Sequence, residues 1–272
     1  MSEISAKDVM KLRNKTGLPM MACKAALAEA AGDPEKAEDI LRKQLKGKME
    51  TKLDRAAGEG RVAVAVSADG QSASIVEVRA ETDFTAKNDR FIQAVDKVAA
   101  LALQAAPGAV TPDDAMKAPV DDVRIATGEN ISIARIHKIA AEAGDRFGKY
   151  VHHDGKTGVL LHAHGDVSDE TLRQICMHVT AAVPRPLGVS ADDIPADMIE
   201  KERRFRIETA MESGKPKEIA EKMVEGGMSK FFAEVALVEQ NFVMDPSKKV
   251  KDLLGPATLK AFHRWQVGET DA

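Results

Sequence analysis

Cysteine is nearly missing from this chain. The two present in 272 residues, Cys23 and Cys176, are far apart and belong to no CxxC pair or Cys/His cluster, which excludes a disulfide framework and an ordinary zinc site and fits a reducing cytosol. Aromatics make up only 4%, with one Trp and one Tyr, so a stacking platform for bases is poorly supplied even with eight Phe. No apolar run approaches the ~18 residues of a membrane span, and the opening Met1 to Asp8 carries charge early and lacks the apolar stretch of a signal peptide. The expectation is a soluble, cytoplasmic protein with no membrane partner. Charge of one sign is missing as well: 39 basic and 43 acidic residues are interleaved at a net −4, which argues against direct nucleic-acid binding.

Catalytic signatures are also absent. There is no GxSxG, no HExxH, no GxGxxG between a strand and a helix, and no complete phosphate loop. Gly155-Lys156-Thr157 imitates the end of such a loop, but the position five before that Gly is Tyr150 and the segment reads as a hairpin turn. His162 and His164 alternate on an expected strand and so face one side, where two imidazoles could meet a metal, but a third ligand is missing nearby. His178 reads as packing, and no cofactor or metal is expected.

What is present is ordinary globular composition, 44% hydrophobic and 30% charged, in a chain long enough for two or more modules. Residues 1–55 read as three short helices and a charged tether. Ser5 and Asp8 form a capping box, Gly17 and Gly32 stop the first two helices, Asp33-Pro34 starts the third through Leu41, and Lys46 to Arg55 is the tether. Residues 56–140 form a first core half. Val62, Val64 and Val66 alternate, Asp69-Gly70 turns, Ile75 to Ala80 returns, and a helix capped by Asn88 aligns Phe91, Val95, Val98 and Ala102. Pro107 to Pro119 reads as a loop with at most a turn of helix. Residues 141–195 repeat the grammar with Lys149 to His152, the turn Asp154-Gly155, Thr157 to Ala163, and a helix from about Ser168 bearing Leu172, Ile175, Cys176 and Val179. Residues 196–228 form an antiparallel helical hairpin turning at Gly214-Lys215-Pro216, with pairs Glu200/Arg204, Glu202/Arg206 and Glu218/Lys222 outside and Ile199, Phe205, Ala210, Ile219 and Met223 in the seam. Residues 229–272, with a strand-like Val235 to Val243, return to the core and end in a tail. The fold class is α+β.

Two segments stand out for binding. In Glu81-Thr82-Asp83-Phe84-Thr85-Ala86-Lys87-Asn88, local chemistry favours a strand-to-helix loop with Thr82, Asp83 or Asn88 as cap and Phe84 folded back as a staple; the other reading presents Phe84 outward as a wedge. The second half has no Phe in its matching stretch, Gly165 to Thr171, so the scaffold itself does not require one. In Leu18-Pro19-Met20-Met21, two adjacent Met on a helix cannot both face inward, which makes a partner contact plausible.

These segments also carry a resemblance. Leu12-Arg13 with Thr16-Gly17, Met20-Met21 with Cys23-Lys24, Thr82-Asp83-Phe84 with Ala86-Lys87, Gly128-Glu129-Asn130-Ile131, Met177-His178-Val179, Ser213 to Gly226 and Phe242-Val243-Met244-Asp245-Pro246-Ser247 resemble the elongation factor Ts family in order along the chain. The resemblance implies an N-terminal ubiquitin-associated-like three-helix module, a two-part core of antiparallel hairpin-plus-helix units and a protruding coiled coil. It implies no enzyme activity but guanine nucleotide exchange on the GTPase elongation factor Tu. Thr82, Asp83, Phe84 and Thr85 would dislodge the partner's Mg2+, and Leu12, Met20 and Met21 would bind the partner itself. Leu18-Pro19 and Ala22 depart from the family's pattern beside the paired Met, and Thr85 stands where Val is common. An RNA-binding translation accessory is the alternative, and it would need clustered basic residues and exposed aromatics.

Overall fold

The computed structural model describes residues 4–50, 54–212, 214 and 216–269; residues 51–53 of the expected tether and Ser213 and Lys215 of the expected helical turn lie outside them. By contacts the chain divides into two compact units, one of Met1–Ala63, Val76–Lys138 and Gln266–Ala272, the other of Val64–Ile75 and Ile139–Trp265. Helices and antiparallel strands are mixed throughout, an α+β fold.

The first unit opens with the three expected helices. The Ser5 hydroxyl accepts from the Asp8 N–H at 3.1 Å to start α1 (Ala6–Thr16), and Gly17 closes it in the left-handed region at φ 77°. Helix α2 spans Met20–Glu29 and α3 spans Pro34–Glu50. Here α3 continues past the expected start of the tether, because Lys, Met and Glu are good helix formers and Gly47 alone among Lys46 to Glu50 weakens the run, by about 1 kcal/mol. Val9, Leu12, Leu18, Cys23, Leu27 and Leu41 form their common core.

Strands β1 (Glu59–Val66) and β2 (Ser72–Ala80) flank the Asp69-Gly70 turn, where the Asp69 carboxylate accepts from the Gln71 N–H at 3.0 Å. After a one-turn helix α4 (Asp83–Ala86), α5 (Asp89–Ala102) starts at Asn88 and buries Phe91, Val95, Val98 and Ala102 as their spacing requires. The expected loop at Pro107 to Pro119 instead holds strand β3 (Gly108–Ala109) and the start of α6 (Asp114–Thr127). Asp113 caps α6 by accepting from the Met116 N–H at 2.8 Å, and the buried face of Met116, Val120 and Val123 outweighs the one N–H that Pro119 removes. Strand β4 (Ser132–Ala140) follows, and the sheet order is β1-β2-β4-β3. The helical bundle rests on α6, with Ile125 packed on its core and Arg42 paired to Asp122 at 2.8 Å.

In the second unit, β5 (Asp145–Val151) and β6 (Thr157–His164) pair antiparallel with Asp145 opposite His164 and Val151 opposite Gly158. Helix α7 (Asp169–Ala181), capped by Ser168, buries Leu172, Ile175, Cys176 and Val179. It lies so close on β5 that a Cβ at Gly148 would stand 2.8 Å from that of Leu172, so only glycine fits there. Helices α8 (Ala196–Glu212) and α9 (Lys217–Val235) form the expected hairpin. Its seam differs from expectation: Ala210 is buried, but the Arg206 arm lies over Gly227, and Phe205, one position earlier, is turned outward and 62% exposed. Glu202 pairs with Arg206 at 2.6 Å as expected, whereas Glu200 faces Arg203 rather than Arg204. The strand expected over Val235 to Val243 shrinks to β7 (Asn241–Phe242), because Val235 packs with Ile194 as the last residue of α9 and a 3-10 turn takes up Leu237–Glu239. Strand β7 pairs with β8 (Asp245–Lys249), and β9 (Thr258–Gln266) completes a sheet of order β5-β6-β9.

Two buried polar hubs fix this packing. His178 is fully buried, its Nδ1 accepting the Val243 N–H at 3.2 Å, so Nε2 carries the proton and donates to Gln240 Oε1 at 2.9 Å. The Gln240 amide in turn donates to the carbonyls of Pro184 and Glu234. Glu77 is also fully buried and accepts from Arg79 at 2.8 Å, Arg135 at 2.7 Å and the Gly268 N–H at 3.0 Å.

Burial holds the His178 imidazole below its ordinary 6.5, with the Gln240 bond opposing only in part. The unfolded chain therefore takes up a proton that the folded one refuses, and stability is lost as the pH falls from about 6.5 toward the lower folded value, by at most ~1.4 kcal/mol per pH unit. Urea unfolding of His178→Gln across this range should give a flatter pH dependence than the wild type. For the second hub, Glu77→Ala leaves two guanidinium groups without their shared acceptor and should cost ~3–5 kcal/mol, read from the urea midpoint.

Candidate functional site

The segment after β2 turns sharply into α4. Thr82 is its cap, in extended backbone, with its hydroxyl accepting from the Thr85 N–H at 3.3 Å. Within the turn the side chains divide: Thr85 and Ala86 are buried, and Phe84 points outward, 83% exposed. The ring is not folded back as a staple, and it stands on a helical turn rather than at the tip of an irregular loop. Asp83 binds Lys87 Nζ at 2.7 Å, and this hydrogen bond, above all, holds its carboxyl below the usual carboxylate range.

Glu129, just past the end of α6, reaches the turn. Its Oε1 accepts from the hydroxyls of both Thr82 and Thr85 at 2.7 Å, and its Oε2 accepts from the Thr82 N–H at 3.2 Å. Next to it the Asn130 N–H donates to Glu81 at 2.6 Å, while the Asn130 amide donates to the Arg55 carbonyl at 2.7 Å. Thr82, Asp83, Phe84 and Thr85 are thus one local unit. In the sequence, Glu129 and Asn130 stand out only through the family resemblance, which assigns them no role. The available signal was an acid directly after the helix-ending Gly128, with no local pattern to say that it reaches 47 residues back to Thr82.

Of the three residues expected on the N-terminal module, Met20 and Met21 are 48% and 73% exposed at the start of α2. Leu12 is a correction. Only 3% exposed within the bundle's core, it offers a partner no surface, because its position on α1 shares the inward stripe of Val9.

Elsewhere the candidates for chemistry are engaged in structure. His162 and His164 do share a face, but both turn to Asp145, at 2.7 and 2.9 Å, and Lys260 places its ammonium 3.1 Å from the same carboxylate. Burial alone would raise the Asp145 carboxyl; the Glu142 N–H, the two imidazoles and Lys260 together pull it well below the usual range. Among the described residues no group of three His, Cys, Asp or Glu is placed to hold a metal. Burial pushes the Cys176 thiol up, away from nucleophile chemistry. No described helix is long and apolar enough to cross a membrane.

Comparison of the sequence with known proteins finds a family. The family model described as Elongation factor TS matches residues 81–269, a span that begins at the Phe84 turn. Elongation factor Ts of Photorhabdus laumondii subsp. laumondii is 42% identical over 275 residues, covering 99% of this chain and 94% of the relative. The proteins of the same name from Thioalkalivibrio sulfidiphilus, at 41% over 98% and 92% of the two chains, and Salmonella gallinarum, at 43% over 99% and 93%, are similar to the same extent. With more than half of the chain matched by the family model and relatives above 40% identity over nearly its full length, the chain belongs to the elongation factor Ts family of translation elongation factors.

Proposed function

We propose that this chain binds the GTPase elongation factor Tu in its GDP form in the cytoplasm and speeds GDP release, supplying binding energy and no bond chemistry. The observation that carries the reading is Phe84. A large ring stands 83% exposed on a turn whose neighbouring threonines are tied to Glu129, so the apolar group is held in water and not merely left there. In this reading Phe84 inserts into the partner, Thr82, Asp83 and Thr85 shape its approach, and the displacement reaches the partner's Mg2+ and phosphate site.

Such a GTPase grips its nucleotide through loop amides, a lysine and Mg2+. By linkage, weakening that grip ~10⁴-fold needs about 5.5 kcal/mol of differential binding, more than one side chain supplies. Further contacts are therefore required. Met20 and Met21, exposed at the start of α2, fit an anchor on the partner from a ubiquitin-associated-like module, and the α8–α9 hairpin fits the family's coiled coil as a secondary contact.

Phe84→Ala separates the wedge from a core role in one variant. Losing a buried interface anchor costs ~2–4 kcal/mol, so release of labelled GDP from the partner should slow roughly 30- to 1000-fold while the variant's own melting temperature stays within about 2 °C. Normal exchange with a clearly lower melting temperature would refute the wedge. The double variant Met20→Ala/Met21→Ala should weaken partner affinity about tenfold without destabilising the chain, measured by titration calorimetry; unchanged affinity would remove the anchor from the account.

A further inference from the structure

We infer that Glu129 is a positioning residue for exchange, the carboxylate that holds the α4 turn in the conformation presenting Phe84; this rests on the exchange reading above. Four residues make one turn of helix, too short to persist without outside support. The cap that would support it is a hydroxyl that must do two things at once. Thr82 Oγ1 accepts from the Thr85 N–H only if its own proton points elsewhere, and that proton points to Glu129 Oε1 at 2.7 Å. The same oxygen takes the Thr85 hydroxyl at 2.7 Å, and Oε2 takes the Thr82 N–H at 3.2 Å. A single carboxylate thus fixes Thr82, two residues before Phe84, on two donors and Thr85, the residue after it, on a third. Bonds to a charged acceptor are stronger than neutral ones, and the half-buried setting limits competition from water.

Glu129 is itself held. Gly128, at φ 73°, ends α6 in a conformation that other residues enter only at a cost, so the chain reverses there. The Thr127 hydroxyl donates to the Val123 carbonyl at 2.9 Å and accepts the Glu129 N–H at 3.3 Å, while Asn130 is tied to Glu81 on the other side. The support for the Phe84 turn therefore comes from a rigid helix end rather than from the turn.

Glutamine and alanine separate the requirements. Glu129→Gln keeps one oxygen for the two hydroxyls but sets an NH2 group against the Thr82 N–H, two donors facing each other; Glu129→Ala removes every acceptor. With the full-length chain, GDP release from loaded elongation factor Tu at saturating concentration should slow about tenfold or more for Glu129→Ala and less for Glu129→Gln. The concentration giving half the maximal rate should shift little, because the exposed methionines of α2 are untouched. In the Phe84→Ala background, Glu129→Ala should add nothing, since a residue acting only through the ring has no further effect once the ring is gone. Full exchange by Glu129→Ala, or an equal further loss on top of Phe84→Ala, would overturn the assignment. Hydrogen exchange of the free chain tests the positioning without any partner. The amides of Thr85, Ala86 and Lys87, bonded within the turn, should exchange about tenfold faster in Glu129→Ala, with those of α5 unchanged. Unchanged protection refutes the inference; a wild-type chain that fails to release GDP refutes instead the exchange reading on which it rests.

Discussion

The carboxylate of Glu129 is where the long helix α6 takes hold of the four-residue turn that carries Phe84. An exposed ring has no packing of its own to fix it, and a single helical turn has little intrinsic stability. Its direction must come from polar bonds to something stiffer. The buried threonine behind the ring and the capping threonine before it supply those bonds, and the helix end supplies the stiffness. Rigidity of this kind matters for a binding protein because a pre-ordered group loses less entropy on association than a mobile one.

The same construction recurs away from the site. Glu77 gathers two arginines and a backbone amide, and Asp145 gathers two histidines, a lysine and an amide. Each is a buried carboxylate that joins a local partner, Arg79 or the Glu142 amide, to others further along the sequence. Apolar contacts supply most of the driving force for folding but are non-directional, while a buried anion tolerates few alternative surroundings. These hubs therefore tie strands to fixed neighbours: Glu77 on β2 to Arg135 on β4, and Asp145 on β5 to His162 and His164 on β6 and Lys260 on β9.

Local patterns explain how much was legible in the sequence. The stripes Phe91-Val95-Val98-Ala102 and Leu172-Ile175-Cys176-Val179, the turns at Gly70 and Gly155, the caps at Ser5 and Asn88 and the helix start near Ser168 are written within a few residues and match the structure. Errors arose where tertiary contacts overrode local signals. Pro119 concealed a helix that a cap and a buried face sustain, a 3-10 turn over Leu237–Glu239 interrupts the apparent strand after α9, and a glycine on α9 let an arginine take the place expected for Phe205. At the site, the exposure of Phe84 could be posed as one of two readings. The clamp could not be read, because Glu129 and Thr82 are 47 residues apart and nothing in either segment names the other.

The first unit is discontinuous: its last segment, Gln266–Ala272, follows the whole of the second unit in the chain. Glu77 meets the Gly268 amide across 191 residues. As the polypeptide emerges from the ribosome, this carboxylate is made long before its third donor, and the larger segment of the second unit, Ile139–Trp265, is synthesised in the interval. The order of synthesis thus favours closing the second unit before the first is complete, and contacts of such long range make the final closure slow. A truncated or stalled chain lacking the last segment would carry the Phe84 turn on a unit whose buried anion is still short of a partner, linking the integrity of the site to the arrival of the chain's far end.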